Sequence, residues 1–142
     1  MKRVRSSAVW SCDSRQAMTL ETKDVAERLV ALCREGKVEV AQQELYAADA
    51  VNLEPYGTDA FAKETRGLPA IIEKGRKFSA LIEQVHAFSI SDPLVAGSSF
   101  ACAMHLDLTI KGHGRMSVHE LGIYEVKDGK IASEQFTSRF PI

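Results

Sequence analysis

The hydrophobic positions in the first third of the chain repeat with the period of an α-helix. One face of the first segment carries apolar residues at i, i+4, i+7 and i+8, namely Val25, Leu29, Leu32 and Cys33. Thr22 is predicted to cap this helix and Gly36 to end it. A second short helix follows, with apolar side chains at positions 38, 41, 45 and 46 on one side.

A short strand and a third helix come next. Residues 50–54 alternate between apolar and polar types, which predicts a strand that ends at Pro55. After a polar loop, Gly67-Leu68-Pro69 is typical of a helix start, because proline is well tolerated in the first turn.

From residue 83 onward the period changes from 3.6 to 2, which indicates strands. Residues 84–96 are strand-like but interrupted at Asp92-Pro93, as at a sheet edge or a bulge. Residues 100–110 place one wholly apolar face opposite a polar one. Glycine-containing turns at 111–114 and 127–129 predict hairpins that join this strand to 115–126 and then to 130–140.

The chain order, with helices first and an antiparallel meander of strands last, predicts an α+β domain. In this domain the sheet packs on about three N-terminal helices. The domain is predicted to cover residues 18–142. Residues 1–17 show neither the helical nor the strand period of hydrophobic positions and are predicted to form an N-terminal arm. The arm has two open explanations, an upstream start codon or a segment that packs on a partner subunit.

Composition narrows the class of protein. A formal net charge of −1 with scattered Lys and Arg argues against a nucleic-acid partner, which needs a clustered basic face. No apolar run approaches the length of a membrane span, so no membrane partner is expected. Cys12, Cys33 and Cys102 are widely spaced, which favours reduced thiols and a cytoplasmic location.

Several short motifs in order resemble the SnoaL-like, nuclear-transport-factor-2-like proteins across residues 20–140. The first is the end of the second helix, residues 45–51, followed by the acidic-Pro-x-Gly turn Glu54-Pro55-Tyr56-Gly57. A helix after Arg66-Gly67 and the ending 123–131 with Glu134-Gln135-Phe136 complete the pattern. The resemblance implies a cone-shaped, cystatin-like fold with a curved sheet and an internal pocket, commonly dimeric through the outer sheet face.

The resemblance also suggests a general base. In the ketosteroid isomerase branch of this fold the acidic-Pro-x-Gly turn carries the base, and Glu54 matches it. The two oxyanion donors of that branch match Leu29 and Val118, so both donors are missing and that mechanism is not expected here. Alternatively, Glu54 caps its own turn or pairs with Lys63 or Arg66.

A second polar group depends on the hairpin register. If residues 111–114 form a four-residue loop, His105 lies opposite Glu120, and Asp107 lies opposite Val118. If residues 127–129 form a three-residue loop, Glu120 lies opposite Phe136. Glu134 then lies opposite Gly122 on the same face. The predicted site therefore has two sets of residues. The predicted catalytic groups are Glu54, His105, Asp107 and Glu120, and the predicted ligand contacts are Tyr56, Val118, Tyr124, Glu134 and Phe136.

His105 and Asp107 have an alternative position. They oppose the apolar face of residues 100–110, so they lie either in the pocket or on the outer face of the sheet. In the predicted register, His105 and His119 point to opposite faces. No histidine spacing matches a zinc site, so no metal is expected, and no glycine-rich nucleotide loop is present, so no cofactor is expected.

Two functions remain open from the sequence. The first is a cofactor-independent acid–base isomerase, cyclase, dehydratase or hydrolase that uses Glu54 on a small apolar or aromatic molecule. The second is a non-catalytic homodimeric module that binds a hydrophobic metabolite. Leu121 and Ile123 on the outer sheet face favour a homodimer in either case.

Overall fold

The computed structural model describes residues 20–142, so the predicted arm and Cys12 lie outside the described residues. Residues 20–142 contain three helices: α1 (Thr22–Arg34), α2 (Val38–Leu45) and α3 (Leu68–Ser79). Seven strands form one sheet: β1 (Tyr46–Leu53), β2 (Glu64–Arg66), β3 (Ile82–Ile90), β4 (Leu94–Ala96), β5 (Ser99–Ile110), β6 (Gly114–Lys127) and β7 (Lys130–Phe136). The predicted α+β class and the three helices are confirmed.

The ends of the helices follow local chemistry. Glu21 caps α1 and forms a reciprocal capping box with Asp24, so the predicted cap at Thr22 is wrong by one residue. Gly36 follows the end of α1 with a φ of 75°, a conformation that glycine adopts without a steric penalty. Pro69 lies in the first turn of α3, as the sequence predicts.

The sheet is mixed and open, whereas the sequence predicts an antiparallel one. Its strands run in the order β2-β1-β7-β6-β5-β3, and β4 pairs with β5 beyond the interruption at Asp92-Pro93. β1 pairs with β7 in parallel, with Tyr46 paired to Ile131 and Asn52 paired to Glu134. β2, which the sequence analysis assigned to a loop, pairs antiparallel with the end of β1.

Two apolar clusters hold the helices against the inner face of the sheet. The larger one contains the buried face of α1, including Val25 and Leu29, and packs on Phe100 and Tyr124. The smaller one, around Leu108, Ile110, Val118 and Phe140, closes the other end. None of the helices within residues 20–142 combines the length and the hydropathy of a membrane span.

Candidate functional site

A cavity of about 1150 Å³ opens between the helices and the inner face of the sheet. Most of its wall is apolar and includes Leu29, Phe78, Leu106 and Phe140. One part of the wall is polar and carries six side chains: Tyr46, Asn52, Glu54, Lys74, Glu120 and Glu134. An apolar chamber with a few convergent polar groups is the usual form of a small-molecule site.

Five of these side chains form a continuous hydrogen-bonded chain, here called the Lys74 network: Tyr46, Glu134, Asn52, Lys74 and Glu54. The Tyr46 hydroxyl donates to one oxygen of Glu134, and Asn52 Nδ2 donates to the other at 2.7 Å. The Lys74 ammonium donates to Asn52 Oδ1 at 2.6 Å and to Glu54 Oε2 at 2.7 Å. The network therefore runs without a break from the core to the cavity.

Strand alternation and helix spacing bring these residues together. Ala50, Asn52 and Glu54 are two residues apart along β1 and its end, so all three point inward. Lys74 lies three residues after the buried Ile71 on α3, on the helix face that covers β1. The inward direction of Asn52 follows from the same alternation that places Glu54, but the Lys74 contact requires the packing of α3.

Glu134 is the most deeply buried acid of the site, with 4% of its surface exposed. Burial raises the pKa of its carboxyl group, and the hydrogen bonds from Tyr46 and Asn52 oppose that shift. Burial, followed by the negative charge of Glu134, raises the pKa of Tyr46 well above its ordinary value. Tyr46 therefore stays a neutral hydrogen-bond donor at physiological pH.

Glu120 is the acid of the site that is poised to exchange a proton. Burial first, and then the charges of Glu54 and Glu134, raise its pKa to about 7, while the Lys74 charge acts in the opposite direction. Within residues 20–142 no hydrogen bond contributes to this shift. A carboxyl group with such a pKa is present in both protonation states near neutral pH, as general acid–base catalysis needs.

Aromatic side chains line the wall beside Glu120. The Tyr124 ring stacks on Phe100 with 4.6 Å between centroids and meets the Phe136 ring edge to face at 6.3 Å. Gly122 makes room for this arrangement, because a Cβ there would lie 2.6 Å from Met104 Cε and 2.9 Å from the Tyr124 hydroxyl oxygen. The inward positions of Tyr124, Glu134 and Phe136 agree with the sequence analysis.

The predicted register between β5 and β6 is wrong by one residue. Ile110 pairs with Gly114 rather than Arg115, because Gly114 joins the strand with a φ of 81° and shortens the loop. His105 therefore lies opposite His119, and Asp107 lies opposite Ser117. The predicted juxtaposition of His105 with Glu120 and of Asp107 with Val118 does not occur.

Both residues lie on the outer face of the sheet, away from the cavity. The rings of His105 and His119 stack with 4.1 Å between their centroids, so the predicted placement of these two on opposite faces is also wrong. Asp107 accepts two hydrogen bonds from Arg115, at 3.0 and 2.9 Å. These hydrogen bonds lower the pKa of Asp107.

The predicted pairing of β6 with β7 is displaced by two residues. Asp128 and Gly129 form a two-residue turn with φ angles of 52° and 76°, and an irregularity after Glu125 restores the alternation. Glu134 therefore pairs with Tyr124 rather than Gly122, and Phe136 pairs with Gly122 rather than Glu120. A displacement of two leaves the inward faces unchanged.

Two predicted ligand contacts lie outside the cavity wall. Tyr56 is 45% exposed, and its ring packs against the Arg139 guanidinium at 5.5 Å. Val118 is buried in the smaller apolar cluster with Leu108 and Phe140. Both residues flank the chamber instead of lining it.

Glu54 is enclosed and paired at the same time. Its side chain is 12% exposed and its partner Lys74 is 18% exposed. The ion pair forms with Lys74, whereas the alternative partners predicted from the sequence are Lys63 and Arg66. Lys63 contacts Glu54 only through the backbone, and Arg66 pairs with Glu64.

Metal ligands do not converge in the part of the chain that the structure describes. No group of three or more His, Cys, Asp or Glu side chains there is arranged to hold a metal ion.

The family of the chain follows from its sequence profile. A family model described as SnoaL-like domain matches residues 20–138, which includes every element of the fold and the whole Lys74 network. The chain belongs to the SnoaL-like domain family. No curated protein sequence matches it.

Solved structures of SnoaL-like and related proteins share this fold. A candidate SnoaL-like polyketide cyclase from Mesorhizobium loti is 28% identical, with a TM-score of 0.76, and the match covers 82% of this chain and 98% of that one. A cystatin-like-fold protein of unknown function from Xanthomonas campestris is 17% identical, with a TM-score of 0.71 and coverage of 86% and 93%.

A more distant structure is a protein with a ketosteroid isomerase-like fold from Catenulispora acidiphila, in complex with trimethylamine. It is 20% identical, with a TM-score of 0.60 and coverage of 86% and 88%. Together these structures confirm the cystatin-like, nuclear-transport-factor-2-like fold of the SnoaL-like domain. Fold alone does not determine the reaction.

Proposed function

We propose that this SnoaL-like protein is a cofactor-independent acid–base enzyme for a small, largely apolar carbonyl compound. The observation that carries the proposal is the position of Glu120, a carboxyl group poised near neutral pH on the wall of an apolar cavity. In this role Glu120 removes a proton from carbon next to the carbonyl group and returns it elsewhere. Isomerisation and ring closure both begin with that step.

Glu120 is the proposed general base, in place of Glu54, which the sequence resemblance suggests. The Glu54 carboxylate is held by the Lys74 ammonium at 2.7 Å, so one of its oxygen atoms is already engaged by a protein partner. Its charge still matters, because it is the first of the neighbouring charges that raise the pKa of Glu120. In this proposal Glu54 has two roles: its charge raises the pKa of Glu120, and its carboxylate accepts a hydrogen bond from Lys74.

The experiment measures proton transfer without knowledge of the natural substrate. A panel of apolar ketones such as 2-tetralone is incubated in deuterated buffer, and exchange of the protons next to the carbonyl group is followed by NMR. We expect the wild-type protein to accelerate exchange for a member of the panel. Glu120→Gln should lower that rate by at least about a hundredfold, the usual contribution of a positioned base.

Two variants complete the design. Glu54→Gln should retain measurable exchange, since the amide still accepts a hydrogen bond from Lys74. Glu83→Gln, an exposed site on β3, should match the wild-type protein. Exchange that survives in Glu120→Gln and disappears in Glu54→Gln would return the role of base to Glu54 and contradict the proposal.

The alternative function is a non-catalytic module that binds a hydrophobic metabolite. Its support is the self-contained Lys74 network, in which the two other carboxyl groups of the site, Glu54 and Glu134, already have protein partners. This function predicts saturable binding of the same ketones, seen as chemical-shift changes at Tyr124 and Phe136, with no exchange above the buffer rate.

We also propose a homodimer formed through the outer sheet face. Leu121 and Ile123 are 45% and 37% exposed there, and Leu94 adds a third exposed apolar side chain. Neighbouring exposed apolar residues on one face favour association. Light scattering should give twice the chain mass, and Leu121→Glu should give monomers; a wild-type monomer at micromolar concentration would contradict this.

The buried free thiols of Cys33 and Cys102 suit a reducing, cytoplasmic setting.

A further inference from the structure

The ammonium group of Lys74 has one hydrogen-bond donor to spare. A lysine ammonium carries three N–H bonds. Asn52 Oδ1 and Glu54 Oε2 accept two of them, and within residues 20–142 no acceptor takes the third. Lys74 also lines the cavity. The remaining N–H bond is therefore available to an oxygen atom of a bound molecule.

The site needs such a donor. Proton removal next to a carbonyl group leaves negative charge on the carbonyl oxygen, and stabilising that charge is usually the largest part of catalysis. The apolar part of the cavity wall, which includes Leu29, Leu106 and Phe140, offers no side-chain hydrogen-bond donor. Lys74 is a cationic donor that lines the same cavity as Glu120, and its charge acts on the Glu120 carboxyl group.

We propose that Lys74 binds the substrate oxygen on which negative charge develops, and that Asn52 and Glu134 are positioning residues for Lys74. The proposal rests on the proposed function, since it supplies the electrophilic partner for Glu120. It specifies the substrate as one whose carbonyl oxygen reaches the Lys74 ammonium while the adjacent C–H bond reaches the Glu120 carboxylate.

The step balances in atoms and charge. The C–H bond breaks, the proton goes to a Glu120 carboxylate oxygen, and the C–H electron pair forms the C=C bond of an enolate while the π pair of the C=O bond moves onto the oxygen. The negative charge thus leaves Glu120 as it forms on the oxygen beside Lys74. The total charge of the cavity does not change, which limits the cost of making an anion near Glu54 and Glu134.

Asn52 and Glu134 fix the direction of the ammonium group. Asn52 is 3% exposed, and its amide has one orientation that satisfies both neighbours, with Nδ2 toward Glu134 and Oδ1 toward Lys74. Glu134 is held in turn by the hydroxyl of Tyr46. Because each member is oriented by the next, loss of Asn52 should release Lys74 without removing its charge.

The test uses 4-nitrophenol, whose phenolate is an enolate analogue with its own absorption band. The ratio of bound phenolate to bound phenol is measured at fixed pH. Lys74→Met should lower this ratio by at least about tenfold, the loss that corresponds to one hydrogen bond to a charged group. Asn52→Ala should lower it in the same direction. Lys77→Met on the same helix is the charge-matched control and should leave the ratio unchanged.

A measurement on the wild-type protein covers the case in which Lys74→Met does not fold. In protein labelled with ¹⁵N-lysine, saturating 4-nitrophenol should shift one Nζ signal, which Lys74→Arg assigns. Equal phenolate ratios in Lys74→Met and Lys77→Met, or an unmoved Lys74 signal, would overturn the proposal. Ketone exchange in Glu120→Gln reports separately on the proposed function, so the two failures are distinguishable.

Discussion

Replacing Glu120 by glutamine should stabilise the protein at alkaline pH and leave it nearly unchanged at acidic pH. The pKa of Glu120 is raised from 4.5 to about 7 in the folded state. The folded protein therefore holds this proton more tightly than the unfolded chain does. Stability decreases as the pH rises from the unfolded value to the folded value, and the full loss remains above about 7.

The size of the effect follows from that shift. At about 1.4 kcal/mol per pKa unit, the shift corresponds to a loss of roughly 3 kcal/mol in the free energy of unfolding. Part of the carboxyl group faces the open cavity, where water screens its interactions, so we expect about 1–2 kcal/mol. Glu120→Gln removes the ionisation and should recover this amount above neutral pH.

The assay is urea unfolding of wild type, Glu120→Gln and the exposed control Glu83→Gln at about pH 5 and about pH 8.5. The difference between Glu120→Gln and wild type should grow between the two pH values, and the control should stay within about 0.5 kcal/mol of wild type at both. Parallel stability profiles for Glu120→Gln and wild type would refute the argument that the folded protein disfavours the Glu120 carboxylate.

Two further changes probe the structure around the site, each with a matched control. Tyr46→Phe removes the hydroxyl donor to Glu134 and should cost about 1–3 kcal/mol by urea unfolding, while Tyr56→Phe at an exposed site should cost nothing measurable; equal effects would contradict the network. Gly122→Ala places a methyl group 2.9 Å from the hydroxyl oxygen of Tyr124, a buried ring held by stacking on Phe100, and should destabilise the fold by about 1–3 kcal/mol. Gly75→Ala, with open space around it on α3, should instead stabilise it by about 0.5–1 kcal/mol.

The fold was predictable because its signals are local and repeat along the chain. The helical spacing in α1 and the alternation in β5 each specify which face is buried, and Gly36 and Pro69 mark helix ends by backbone chemistry. The parallel pairing of β1 with β7 was missed, because it joins segments far apart in sequence and leaves no short-range pattern.

Candidate site residues on β6 and β7 were predictable only through alternation. Glu120 and Glu134 remain inward although their predicted partners are displaced, because a shift of two residues preserves the face. The predicted position of His105 was wrong because a shift of one residue changes the face, and the tight turn at 111–113, with Gly112 and Gly114 both at positive φ, sets that shift. Lys74 was missed because its contact with Glu54 is made between a helix and a strand end, which no periodicity encodes.

The central claim is that the Glu120 carboxyl group gains and loses its proton near neutral pH in the cavity, and its titration tests this most directly. Carbon-13 NMR of the glutamate carboxyl groups, with the Glu120 signal assigned by Glu120→Gln, gives the pKa without any substrate. We expect a midpoint at about 7, and a lower midpoint in Glu134→Gln, since that change removes a neighbouring negative charge. A midpoint at the ordinary glutamate value of 4.5 would contradict the account, because Glu120 would then be an ionised carboxylate with little affinity for a proton at neutral pH.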